Sequence, residues 1–135
     1  MSQHLVRGLG LVFGVLLSVG PALAHHAFAT EFDANKPVTF RGFVTKIEWT
    51  NPHAWFYVNV KDESGKVENW GFEMGAPGAL GREGLRRETL KIGDEVIVEG
   101  SLARNGSNRV NAKNLTLVST GKKYGTASSQ GSQNQ

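Results

Sequence analysis

Four histidines occur in the 135 residues, and three of them stand where their side chains could do chemistry. His25 and His26 are adjacent, and His53 follows Asn51-Pro52. A neutral imidazole is the commonest protein ligand for a metal ion. If His25 were the first residue of the chain, its α-amine and its Nδ1 would form a chelate that no internal residue can make. The His26 imidazole would stand beside it. Nitrogen-rich donor sets favour Cu(II) among the first-row divalent ions. Glu31, Asp33, Glu73 and Met74 are further donors that the spacing does not rank. The simpler reading is a solvated terminus at His25-His26 and a His53 that hydrogen-bonds within its own turn.

The chemistry at His25 depends on removal of what precedes it. Arg7 stands in an acid-free start, Leu9 to Val19 is an uncharged apolar run, and Gly20-Pro21 breaks it. Ala22-Leu23-Ala24 then supplies the small-x-small pattern of a signal-peptidase site. The apolar run is too short to cross a bilayer as a helix, which takes about 20 residues. Residues 1–24 therefore read as a cleavable signal peptide. The brevity of the signal points to a bacterial source. The expectation is a periplasmic protein that begins at His25 and keeps no membrane span.

Composition removes several classes of function. With no cysteine there are no disulfides, thiolate nucleophiles, cysteine zinc sites or blue-copper centre. The formal charge of +3 is spread among residues of both signs, without the basic stripe of a nucleic-acid binder. No phosphate-binding loop, dinucleotide fingerprint or zinc-protease motif appears. The carboxylates are scattered, and no catalytic residues can be assigned. Arg82, Arg86 and Arg87 are interleaved with Glu83 and Glu88, as on a solvated helical face.

The elements that must position these residues are mostly strands. Residues 25–36 form a leader without clear period. The stretch 37–50 alternates in two parities that switch between Gly42 and Lys46, the mark of a bulge that bends a long strand. Ala54–Lys61 and Lys66–Met74 alternate cleanly about the turn Asp62–Gly65, giving a hairpin. Residues 76–91 read as short helical turns weakened by glycines. Glu95–Ala103 and about Asn108–Val118 form a second hairpin about Asn105-Gly106-Ser107. Residues 119–135 hold almost nothing apolar and read as a disordered tail. Three strands, a helical connection and a two-strand hairpin is the order of the five-stranded oligonucleotide/oligosaccharide-binding (OB) barrel. The fold expected is thus all-β: an OB-like barrel over residues 37–118, with a short helical connection between strands three and four, a different small barrel or an open meander being the alternative.

Within that frame Trp49, Trp70 and Phe72 read as core. Trp55 and Tyr57 fall on the outward parity of the second strand, where they could stack on sugars, bases or a peptide. The simpler expectation is that Phe28 and Phe32 of the leader cover them. The leader could extend roughly 40 Å at about 3.3 Å per residue, enough to bring its start to His53.

The segments His25-His26-Ala27-Phe28-Ala29, Glu48-Trp49-Thr50-Asn51-Pro52-His53 and Asn69-Trp70-Gly71-Phe72-Glu73 resemble a family of small exported proteobacterial proteins built on a domain of unknown function. The likeness runs from His25 to about Val118 and implies a periplasmic β-barrel, without implying an activity.

These readings converge on a small periplasmic binding protein that takes copper through His25 and His26, with His53 as a co-ligand. The alternative is a metal-free ligand-binding or adaptor module that uses the barrel face at Trp55 and Tyr57 for an unidentified periplasmic partner. A copper-dependent redox enzyme is a further alternative. Oligomeric state is open.

Overall fold

A computed structural model describes residues 27–128. The signal-peptide reading, His25 and His26, and residues 129–135 of the tail lie outside the described residues. Among the described residues six strands make one sheet: β1 (Phe32–Glu48), β2 (Trp55–Lys61), β3 (Val67–Glu73), β4 (Glu95–Ala103), β5 (Arg109–Leu117) and β6 (Lys122–Gly125). Their order is β3-β2-β1-β4-β5-β6. A parallel pairing of β3 with β5, from Gly71↔Arg109 to Glu73↔Asn111, closes the first five into a ring. The fold is thus the all-β, closed five-stranded barrel with a short helical connection that the strand order implies. A short helix, Pro77–Arg82, connects β3 to β4.

The long first strand serves two neighbours because it bends. Its register against β2 shifts between Val44 and Lys46, at the parity switch visible in the sequence. Gly42 sits beside that bend, where a methyl group would collide with the Asn59 carbonyl oxygen. The strand begins at Phe32, five residues before the apolar alternation starts. Its first pairing, Phe32↔Ala103, is followed by an irregular register up to Pro37. Asp33, Asn35 and Lys36 are polar and the stretch is mostly exposed, so it carries no alternation to read.

The core is filled by the inward parities. Val44, Phe56, Val58, Phe72, Val96, Val98, Val110 and Leu115 are buried, and Phe56 and Phe72 stack with ring centres 5.1 Å apart. Each such side chain contributes about 1.5–3 kcal/mol by leaving water. The connecting helix starts with proline in its first turn, where the missing N–H costs nothing, and Gly84 follows it at φ 83°. Leu80, Leu85 and Leu90 from this connection are buried in the core.

The tail reading from residue 119 is corrected. β6 pairs with β5 from Asn114↔Gly125 to Leu117↔Lys122. Tyr124 is buried in the core, and Thr126 and Ser128 are buried beyond it. One aromatic among polar residues gives no period, yet it is enough to hold a short strand to an existing edge.

Candidate functional site

The leader turns back onto the barrel. Residues 27–31 are helical, and Phe32 is almost wholly buried with Phe28 stacked against it at 5.9 Å. Arg104, at the start of the β4–β5 turn, fastens this segment. Its Nε donates to the Ala29 carbonyl at 2.7 Å, its backbone N–H donates to the Glu31 carbonyl at 2.9 Å, and its Nη1 lies 3.5 Å from the Asp33 carboxylate. Asp33 is thereby committed to Arg104 and stands apart from the other acidic donors.

Beneath the leader lies a cavity of about 380 Å3. Ala27, Phe28, Glu31 and Phe32 form one wall, and Pro52, His53, Glu73, Met74, Asn111 and Ser128 contribute to the rest. Ala54 sets the position of His53. Its N–H donates to the Gly75 carbonyl at 3.0 Å, and its carbonyl accepts from Met74 N–H at 2.9 Å. This pairing brings the loop after β1 against the end of β3. The chain beyond β6 closes the far side, where Gly75 N–H donates to the Thr126 carbonyl at 2.8 Å. Any side chain at Gly75 would collide with the Ala127 carbonyl oxygen.

Glu73 is the centre of this arrangement. Its Oε1 lies 3.3 Å from His53 Nδ1 and accepts from Asn111 Nδ2 at 3.3 Å. Its side chain is only 13% exposed, against 51% for His53. Burial pushes its pKa above the ordinary carboxylate value, and the nearby Glu31 pushes the same way. His53, Arg109 and the Asn111 amide oppose the shift. Among the described residues, Asn111 Oδ1 and Ser128 Oγ are buried without a hydrogen-bond partner. Unpaired buried polar atoms are uncommon and call for an explanation; here both residues line the same cavity.

Of the donors named from sequence, His53, Glu31, Glu73 and Met74 share this cavity. Among the described residues no three His, Asp or Glu side chains cluster closely enough to hold a metal by themselves. Asn111, Ser128 and Arg104 had no signal in the sequence, because long-range strand pairing alone brings them to the leader.

Trp55 and Tyr57 lie elsewhere, on the outer face of β2. With Asn69, Gly71, Asn108 and Arg109 they line a shallow pocket of about 270 Å3. The described part of the leader, residues 27–36, does not line this pocket, contrary to the simpler expectation that Phe28 and Phe32 cover the rings. Phe32 is drawn into the barrel end beside β4, and Phe28 stacks on it. The group over Trp55 is the Arg109 guanidinium, 4.7 Å from the ring centre.

Among the described residues no helix is long and apolar enough to cross a membrane. The model of a family described as one of unknown function matches residues 14–112, most of the chain and of the barrel. No curated protein matches the chain.

Proposed function

The chain belongs to that family of unknown function, DUF6152, and we propose that it is a periplasmic protein that binds Cu(II) in the cavity beneath its leader. One observation carries the reading: Ala27, one residue after the histidine pair, lines the same cavity as His53 and Glu73. Cleavage after Ala24 would place a free α-amine and two imidazoles within two residues of that wall. The reach needed to meet His53 is then short.

The chemistry of the donors supports a metal. Glu73 beside His53 Nδ1 favours the tautomer with hydrogen on that nitrogen, which leaves Nε2 as the lone-pair donor. Carboxylates commonly orient and strengthen metal-binding imidazoles in this way. The remaining nitrogens come from His25 and His26. Glu31, Glu73 and Asn111 Oδ1, which has no partner among the described residues, give the cavity several oxygen acceptors beside His53, which suits a cation. The role proposed is storage, delivery or sensing of copper.

Calorimetric titration with Cu(II) tests this. The protein beginning at His25 should bind one ion tightly. The same protein with one residue added before His25 should bind at least tenfold more weakly, because the amine chelate is gone. Equal affinity in both would refute the terminal chelate, and absence of binding in both would refute the copper reading.

A further inference from the structure

We propose a second, independent binding site: the pocket on the outer face of β2 and β3 takes a sugar ring that bears a carboxylate. Its floor is aromatic because Gly71 stands opposite Tyr57 in the β2–β3 register. A methyl at Gly71 would lie 3.2 Å from Tyr57 Cε1 and 3.8 Å from Trp55 Cζ3. The absent side chain lets the two rings lie over the strand. Aromatic rings of this kind offer flat apolar surface with polar tips; Arg109 covers Trp55 and the exposed Lys46 chain lies over Tyr57, so the C–H face of a pyranose meets Tyr57 as Lys46 swings aside.

The rim supplies polar groups already held in place. Asn69 Nδ2 donates to Thr45 Oγ1 at 3.0 Å and to Asn59 Oδ1 at 2.9 Å. Both amide hydrogens are used, so Asn69 presents its oxygen as a fixed acceptor for a hydroxyl. Asn108 is anchored through its carbonyl, which accepts from Gly71 N–H at 2.9 Å. Arg109 lies over Trp55 and is exposed. Stacking restrains the guanidinium plane without consuming its N–H groups, and among the described residues no hydrogen bond or ion pair engages them. A planar fork of donors matches a carboxylate in bidentate fashion. The pocket volume of about 270 Å3 accommodates one ring.

Position agrees with chemistry. The face of strands two and three beside the β4–β5 loop is where barrels of this class bind oligosaccharides and oligonucleotides. A nucleic-acid strand would also need a run of cations for its phosphates. Here the cross-strand partners of the rings are Glu73 and Gly71 on β3 and Glu48 and Lys46 on β1; Lys46 lies 5.2 Å from the Tyr57 ring centre but is paired with Glu48 at 2.7 Å. Of the two cations over the rings, Arg109 is the one without an ion pair among the described residues, and it fits a single carboxylate on a sugar.

The test is calorimetric titration of the protein with tetragalacturonate, with cellotetraose as the neutral partner and a short oligothymidylate as the nucleic-acid partner. Tetragalacturonate should bind saturably and at least tenfold more tightly than either. Arg109→Gln should weaken the acidic sugar about tenfold, and Arg109→Lys should restore only part of it because the fork is lost. Tyr57→Ala should weaken acidic and neutral sugars together. Each variant is compared at matched thermal unfolding temperature, and the Trp55 indole N–H resonance should shift on binding in the parent protein. Absence of tetragalacturonate binding at millimolar concentration, equal affinity for the neutral sugar, tighter oligothymidylate binding, or an unaffected Arg109→Gln would each overturn the proposal. None of these outcomes depends on copper.

Discussion

The cavity beneath the leader and the pocket on the β2–β3 face meet at one cross-strand pair, Trp55↔Glu73, yet they have opposite chemistry. The cavity gathers Glu31, Glu73 and two unpaired buried polar atoms under an apolar rim. The face gathers a guanidinium without an ion pair among the described residues, two rings and two amides in the open. One suits a cation and the other an anion. Arg109 stands at the boundary: it stacks on Trp55, and its charge still draws the Glu73 pKa down against burial. The lesson is that a barrel strand serves two sites when successive outward positions differ in burial.

The largest effect should come from removing what both sites rest on. Phe72 is fully buried between Phe56 and Phe40. Phe72→Ala should cost about 3–5 kcal/mol by urea unfolding and should weaken both binding activities. A loss confined to one site would break the claim that they share a support.

A smaller change should separate them. Gly75→Ala forces the backbone at Ala127 away, at a cost of about 1–3 kcal/mol typical of overpacking. It should open the far wall of the cavity and weaken Cu(II) binding, while tetragalacturonate binding is unchanged. Calorimetry on one preparation with both ligands reads this directly.

Smaller still is the clamp on the leader. Arg104→Met keeps most of the stem but loses the bond to the Ala29 carbonyl, worth about 0.5–1.5 kcal/mol. Amide hydrogen exchange should speed up between Ala29 and Phe32 and stay unchanged in β2 and β3.

The smallest effect is a pH dependence. Burial raises the Glu73 pKa, so the folded protein holds that proton more tightly than the unfolded chain. Its contribution to stability is therefore fully present in acid and is lost as pH rises through the folded value. Glu73→Gln should flatten this part of the stability profile, so that the variant loses less stability than the parent between mildly acidic and neutral pH. Urea midpoints across that range check it.

How much of this was legible follows from the range of each interaction. The alternation in β2 through β5 placed those strands within about a residue, since each buries one parity against the core. The bulge was legible because parity must switch when a strand bends. The start of β1 was not, because only Phe32 pairs before Pro37 and the residues between, Asp33 to Lys36, carry no apolar alternation. β6 was hidden because Tyr124 is the one apolar anchor in a polar stretch. At the candidate site, His53, Glu31, Glu73 and Met74 were visible as donors by residue type. Asn111 meets Glu73 across 38 positions and Arg104 meets Ala29 across 75. Distances of that kind are set by barrel closure, which no local pattern encodes.

The central claim is that the leader brings its terminal histidines to His53 around one copper ion. Its most direct test is the electron paramagnetic resonance spectrum of Cu(II) bound to protein beginning at His25, recorded beside His53→Ala and beside protein with one residue added before His25. The account predicts a single nitrogen-rich Cu(II) centre whose spectrum changes in both variants. Its affinity should fall steeply between roughly pH 7 and pH 5, where imidazole and the α-amine take up protons. Identical spectra in all three proteins, with affinity flat across that pH range, would contradict it.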